Sequence, residues 1–193
     1  MTVEEFWEFG NRPENAGRLL DLINGRVVEW PRPYRPRGVV CATAGFVLGL
    51  YADRLQMGFA TLGNAGVILS REPAVVVGPD VAFFARNEKE DALTGWSVHP
   101  PVLVVEVWSA NYDRAQVVAK VEACLTNGVK VVWQVDYEER NVTVHRPNRS
   151  MEVVKEDGEL TGADDMPGLT IKVADLFTLP GERTAPPIQP PAA

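Results

Sequence analysis

Residues 102 to 136 follow the order strand, helix, strand, and this order constrains how the two strands can pair. Residues 102–108 are mostly apolar and β-branched, residues 112–127 follow a helical period, and residues 130–136 return to a strand pattern. Two strands joined through one helix at this spacing form a right-handed crossover between parallel neighbours. The sequence therefore predicts an α/β fold that contains a parallel strand pair.

Glu106 lies inside the first of these strands, in the segment "PPVLVVEVWS". Strand alternation puts it on the same face as Val104 and Trp108. A carboxylate in a strand that is buried on both faces is costly unless a cation or several hydrogen bonds compensate it. Taken alone, such a glutamate is also typical of an edge strand or of a structural salt bridge.

Asp80 and Lys120 are the residues that could explain Glu106. Asp80 follows Gly78-Pro79 at the start of the apolar run "VAFF", and two strands of one sheet can bring two carboxylates together. A divalent cation removes the repulsion between such a pair. Lys120 lies at the border of the apolar stripe of the predicted helix, so it could reach the pair. Two acids and an ammonium can hold Mg²⁺, orient a water and stabilise a pentacovalent phosphate. Individually, Asp80 also suits a turn with an Asx bond, and a lysine at a helix border is usually solvated.

The sequence of the N-terminal part predicts two short helices, a strand and a core helix. "TVEEFWEF" favours a first helix, and Asn15 favours a cap for a second one, "AGRLLDLI", that ends at Asn24-Gly25. "GRVVEW" alternates as a strand. Residues 38–56 predict a mostly apolar helix packed into the core.

The length of 193 residues suits one domain over residues 1–179, followed by a proline-rich tail over 180–193 that we expect to be disordered. The first residues of the chain are acidic and lack the apolar stretch of a signal peptide. The uncharged, mostly apolar run over residues 38–52 is shorter than the roughly 20 residues that span a bilayer. These features predict a cytoplasmic protein that does not associate with membranes.

The formal net charge of −7 argues against simple electrostatic attachment to nucleic acid. An acidic chain can still act on DNA if its carboxylates hold metal ions and a local arginine cluster meets the phosphates. The dense basic stretches are residues 31–37 and 146–149.

The order of "PD" at 79–80, "EVWS" at 106–109 and Lys120 in the next helix resembles the PD-(D/E)XK nuclease superfamily. More closely, the chain resembles a widespread bacterial family of restriction-endonuclease-like proteins of largely unknown function. The resemblance covers nearly the whole chain, including "LLDLINGRVVEW", "KVEACLTNGVKVVWQVD" and "MPGLTIKVADLF". It departs from the superfamily pattern at Trp108, where a lysine is typical, and from the family pattern at Ala110 and Cys124, where proline and tyrosine are typical.

The resemblance implies a restriction-endonuclease-like α/β fold, with a mixed central β-sheet flanked by α-helices. It implies Mg²⁺ or Mn²⁺ bound by Asp80, Glu106 and the backbone carbonyl of Val107, with Lys120 orienting the attacking water. The implied activity is metal-dependent hydrolysis of DNA phosphodiester bonds. Asp21 and Glu29 are weaker candidates for a second metal or a water.

Two alternative functions stay open as hypotheses. A catalytically inactive nuclease-fold module that binds nucleic acid or protein suits the acidic charge, and a structural role would require an extended apolar surface patch. A homodimer would suit cleavage of both DNA strands. His99 and His145 have no ligand spacing, and Trp30, Trp96 and Trp108 could stack on bases or pack in the core.

Overall fold

The computed structural model describes residues 1–86, 95–108, 111–179 and 182. Within that part of the chain there are four α-helices and twelve β-strands. The helices are α1 (Val3–Gly10), α2 (Arg35–Leu55), α3 (Arg114–Thr126) and α4 (Val173–Phe177). The strands are β1 (Leu19–Ile23), β2 (Arg26–Trp30), β3 (Gly58–Leu62), β4 (Val67–Arg71), β5 (Ala74–Val77), β6 (Val81–Ala85), β7 (Leu103–Trp108), β8 (Val131–Asp136), β9 (Asn141–His145), β10 (Glu152–Val154), β11 (Glu159–Thr161) and β12 (Thr170–Lys172).

Most strands of the described residues belong to two sheets. The larger has six strands in the order β10-β9-β8-β7-β6-β3, and the smaller has four in the order β2-β1-β5-β4. β7 and β8 are parallel, whereas the other neighbours in both sheets are antiparallel. The predicted parallel pairing of β7 and β8, with α3 between them in the chain, is confirmed.

The two faces of β7 belong to different layers, as its alternation predicts. Leu103, Val105 and Val107 pack in the main core with α2 and α4. Val104 packs in a second core, with α3 and with residues of the smaller sheet. Because Glu106 shares the face of Val104, its carboxylate points into the layer between the two sheets.

The helix predicted over "AGRLLDLI" is wrong. Asn15 ends a short 3₁₀ helix, Pro13–Asn15, and Leu19–Ile23 is strand β1, paired with β2. Asn24 and Gly25 both have positive φ, 51° and 74°, which allows a tight hairpin turn. The leucine-rich composition suits a helix, but pairing on both edges, with β2 and β5, determines the outcome.

The remaining predicted elements fall close to their predicted positions. α1 carries a capping box between Thr2 and Glu5, with Phe6 buried. α2 is long and apolar enough to suit a membrane span by length and composition alone, but Val40, Val47 and Leu48 lie in the core. The polar sequence of residues 86–98 also predicts a loop, which falls mainly on residues 87–94, outside the described part of the chain. The predicted tail, apart from Glu182, also lies outside it, and the domain bounds stay a prediction.

Candidate active site

Asp80 lies between two strands and is bound from two sides. It comes directly before β6, and the register Val81 to Val105 places it opposite Glu106. The backbone N–H of Val107 donates to Asp80 Oδ2 over 2.8 Å. Arg37 donates through Nε to the same oxygen over 3.1 Å and through an Nη to Oδ1. Asp80 is thus held in a buried, bidentate ion pair.

Arg37 comes from the first turn of α2, just before the uncharged run of that helix. Its side chain is buried, and its guanidinium lies 5.7 Å from the ring centroid of Tyr112. Burial lowers the pKa of Arg37, but the charge of Asp80 raises it above its ordinary value, so the ionised form is secure. The basic stretch 31–37 was recognised from the sequence, but the pairing of Arg37 with Asp80 was not predicted. The sequence feature that could have indicated it is a charged residue at the start of an apolar core helix.

Lys120 is buried and bound by three acceptors. Its Nζ lies 2.8 Å from Glu106 Oε1 and 3.0 Å from Asp21 Oδ2, and it donates to the Gly78 carbonyl over 3.0 Å. Burial lowers the pKa of Lys120, but the carboxylates of Asp21 and Glu106 raise it above its ordinary value. The predicted proximity of Lys120 to Glu106 is present, with Lys120 inside the protein and not at a solvated border.

Asp21 lies at the centre of this cluster, on strand β1 and not on a helix. Its Oδ2 accepts from Trp30 Nε1 over 2.7 Å as well as contacting Lys120, and its Oδ1 accepts from the Gly78 N–H over 2.7 Å. The Lys120 ammonium lies 5.1 Å from the centroid of the Trp30 ring. Asp21 and Trp30 therefore fix where the ammonium of Lys120 lies.

Glu106 has an unusual protonation equilibrium. Burial raises its pKa from the ordinary 4.5 to about 8, and Lys120 partly opposes that rise. The nearby carboxylates of Asp80 and Asp21 raise the pKa further. If all five charged groups of the cluster are ionised, three carboxylates face two cations, and one negative charge is left over. Glu106, whose pKa is raised, is the acid that takes up a proton and so removes that excess charge.

A small cavity opens among these groups. Its volume is ≈ 20 Å³, close to the room that one water molecule needs. Glu106, Arg37 and Lys120 line it together with the aromatic rings of Trp30, Trp108 and Tyr112. The rings of Trp30 and Tyr112 stack with their centroids 6.0 Å apart. The cavity is thus lined by both charged groups and aromatic rings.

The carboxylates can be tested for their fit to a divalent cation. In the described residues there is no group of three or more His, Cys, Asp or Glu side chains that could hold a metal. Mg²⁺, however, is usually held by one or two carboxylates and keeps several waters. Asp80 and Glu106 provide hard oxygen donors, and with Glu106 ionised the cluster has one excess negative charge, so the two acids fit Mg²⁺. The Val107 carbonyl stays a predicted ligand.

Other candidate residues lie away from this cluster. Glu29 pairs with Arg18 in a surface ion pair, so it does not join Asp21 at a second metal position. His145 Nε2 lies 2.8 Å from Gln134 Oε1, and burial lowers the pKa of His145. Trp96 packs against the rings of Phe6 and Trp7. Trp108 is the exception among these residues, because it is half-buried and lines the cavity beside the cluster.

The two basic stretches lie at different ends of the larger sheet. Residues 31–37 lead into the cluster through Arg37. Residues 146–149 follow β9, whose His145 is opposite Val132, near the start of β8. Since Glu106 is level with Gln134, further along β8, the second stretch is at the far end of the sheet.

Comparison with known proteins gives a family and a fold. The model of the Uma2 family, described as "Putative restriction endonuclease", matches residues 3–174. None of the curated proteins matches the chain significantly.

Among solved structures, the chain resembles a crystal structure described as "a putative nuclease belonging to DUF820" from Anabaena variabilis. The TM-score is 0.77 at 20% sequence identity, over 92% of this chain and 97% of that chain. At this identity the likeness shows the fold alone. The predicted restriction-endonuclease-like α/β class is confirmed.

Proposed function

The chain belongs to the Uma2 family, and we propose that it is a Mg²⁺-dependent endonuclease that hydrolyses phosphodiester bonds in DNA. In the proposed reaction a water oxygen adds to phosphorus and one P–O ester bond breaks. The products are a phosphomonoester and a hydroxyl group. Asp80, Glu106 and Lys120 are the residues that we assign to this reaction.

One observation carries the proposal. Asp80, directly before β6, is opposite Glu106 on β7, both are buried, and Glu106 contacts a buried lysine beside a water-sized cavity. Buried acids with a raised pKa cluster at functional sites. A fold that needed only stability could fill these positions with apolar residues at no loss.

Asp80 and Glu106 are the residues that would hold Mg²⁺. When bound, the ion would supply Lewis-acid stabilisation of the phosphate charge and a more acidic water. The chain's own groups set the rest of the site: Asp21 and Trp30 hold Lys120, and Lys120 holds Glu106. The rings of Trp30, Trp108 and Tyr112 line the cavity, and the burial of the charged groups strengthens the charge interactions among them.

An inactive nuclease-fold module that binds nucleic acid or protein is the second candidate. The observation that favours it is that Arg37 and Lys120 already provide Asp80 and Glu106 with cations from the chain itself. Such a cluster can fold without a metal ion.

Plasmid nicking distinguishes the two candidates. Purified wild type, Glu106→Gln and Lys120→Gln are incubated with supercoiled plasmid and Mg²⁺ or Mn²⁺, and Glu29→Gln serves as a matched surface-acid control. We expect the wild type and Glu29→Gln to nick equally. Glu106→Gln should be slower by at least about a hundredfold, the scale of losing one electrostatic group in an active site. A folded wild type that never nicks would favour the inactive module.

The proposal extends to the assembly and the location. A homodimer with two-fold symmetry would present one site to each strand of a duplex. We propose this state, together with a cytoplasmic location. Sedimentation velocity of the full chain tests the dimer: a single species at the monomer mass would contradict it.

A further inference from the structure

The two cations of the site differ in how many hydrogen-bond donors they have left. The ammonium of Lys120 donates a hydrogen bond to the Gly78 carbonyl and forms ion pairs with the carboxylates of Glu106 and Asp21, all at 3.0 Å or less. A substrate phosphate would therefore compete with two carboxylates for Lys120.

Arg37 is in the opposite position. A guanidinium has five N–H donors, and in the described part of the chain the bonds of Arg37 to Asp80 use one on Nε and one on an Nη. Its other donors make no hydrogen bond with the described residues. The fork with Asp80 and the contact with the Tyr112 ring fix the plane of the guanidinium. Arg37 thus presents pre-oriented donors to the cavity that it lines with Glu106.

The carboxylates of the cluster make such a donor necessary. When Glu106 is ionised, three carboxylates stand against two cations, and the site repels an anion unless a cation with available donors lies at the point of contact. A phosphodiester has two non-bridging oxygens, and the planar guanidinium binds such a pair in a fork. The cavity has room for about one oxygen atom beside the guanidinium.

We infer that Arg37 is the residue that binds the substrate phosphate. A phosphodiester oxygen enters the cavity and takes the donors that Asp80 leaves, while Asp80 keeps the guanidinium in place. Lys120 is then a positioning residue that acts through Glu106. The inference rests on the proposed function, because it takes a phosphodiester as the substrate.

Metal-free DNA binding tests this role apart from catalysis. A labelled DNA duplex is titrated in EDTA at low, fixed salt and followed by fluorescence anisotropy. The main variant is the double change Arg37→Gln with Asp80→Asn, which removes one charge of each sign and leaves the net charge of the site unchanged. Arg35→Gln, at the exposed neighbour on the same helix turn, is the control that does lower the net charge.

We expect the double variant to bind DNA at least about tenfold more weakly, the scale of one lost charge-assisted hydrogen bond. Arg35→Gln should weaken binding by less than about threefold, the scale of an exposed charge. Asp80→Asn alone keeps the guanidinium and removes a negative charge, so it should bind more tightly than the wild type. Circular dichroism confirms that each variant is folded. Arg37→Lys is a second test that does not depend on the folding of the double variant. It keeps the positive charge that pairs with Asp80 but has fewer donors, so it should bind DNA several-fold more weakly than the wild type.

Each outcome bears on one claim. A folded double variant or an Arg37→Lys variant with wild-type affinity would overturn the inference and leave Arg37 as a counter-ion of Asp80, with the nuclease proposal intact. A wild type that does not bind the duplex would also overturn it. Arg37-dependent binding by a wild type that nicks no plasmid would support the inference and reject the nuclease.

Discussion

Ion pairs occur in two settings in this molecule. At the cluster, the side chains of Arg37 and Asp80 are 7% and 4% exposed, and those of Lys120 and Glu106 are 6% and 12% exposed. On the surface, the side chains of Arg71 and Glu4 are 61% and 68% exposed. The pairs Arg18 with Glu29 and Arg140 with Glu156 are similarly open to solvent. Ion pairs of the same kind therefore occur both at the surface, where water screens their charges, and in the cluster, where water is mostly excluded.

The difference shows what the buried pairs are for. A surface pair adds little to stability because solvent and salt screen it. A buried pair loses its hydration, and well-packed apolar residues often serve stability equally well. Removing one partner of a buried pair, however, leaves an uncompensated charge. The cluster is thus better explained by a function that needs charge in a dry place, and each pair can be broken to test this contrast.

The largest effect should come from Lys120→Met. The change leaves the carboxylates of Asp21 and Glu106 buried without their cation, so the free energy of unfolding should fall by about 3–5 kcal/mol. Urea unfolding followed by tryptophan fluorescence measures it. Lys130→Met, at an exposed lysine, is the control and should change little. A loss at Lys120 no larger than that of the control would show that the cluster does not depend on its lysine.

The second effect is a pH dependence that belongs to Glu106. Its pKa is raised from 4.5 to about 8 in the folded protein, so the native state binds this proton more tightly than the unfolded chain does. Stability from this group is therefore fully present below about pH 4.5 and is lost as pH rises through about 8. Urea unfolding between these limits should show the wild type losing stability with rising pH more steeply than Glu106→Gln. Parallel profiles would contradict the raised pKa.

A smaller loss is expected from Trp30→Phe. The change keeps an aromatic ring near the Lys120 ammonium and removes the indole N–H that Asp21 accepts over 2.7 Å. A hydrogen bond to a charged group contributes roughly 1.5–3 kcal/mol. Thermal unfolding should therefore show a lower midpoint for Trp30→Phe than for Trp7→Phe, which changes an exposed tryptophan. Equal midpoints would mean that the indole bond does not support Asp21.

The smallest effect should come from the surface. Arg71→Ala removes the partner of Glu4, and both side chains are well exposed. Because water already solvates both charges, the urea midpoint should not move measurably. A shift comparable to that of Trp30→Phe would remove the contrast between the two settings.

Much of the fold could be predicted because local patterns specify it. The crossover from β7 to β8 follows from an apolar strand, a helical period and a second strand, and the structure has them within two residues of the predicted ends. β1 could not be predicted from local pattern, because "LLDLI" is a good helix sequence and becomes a strand through pairing with β2 and β5. β11 was also missed, since its three residues carry too short a pattern.

The site shows the same limit. Asp80, Glu106 and Lys120 were found through their order in a known type of sequence, and the structure brings them together. Asp21 was placed on the wrong element because β1 was. Arg37 pairs with Asp80 across 43 positions of sequence, and no local pattern contains such a contact. Long-range ion pairs therefore needed the structure.

The role of Glu106 as a metal ligand can be measured by a calorimetric titration of Mn²⁺ into the wild type and into Glu106→Gln, at a pH above 8 where Glu106 is ionised. We expect binding heat for the wild type that disappears in the variant, because the variant lacks the carboxylate that binds the ion. A well-folded wild type that shows no binding at millimolar Mn²⁺ would contradict it, and so would equal binding by the variant. Either result would leave Glu106 as a buried acid that pairs with Lys120 and holds no metal.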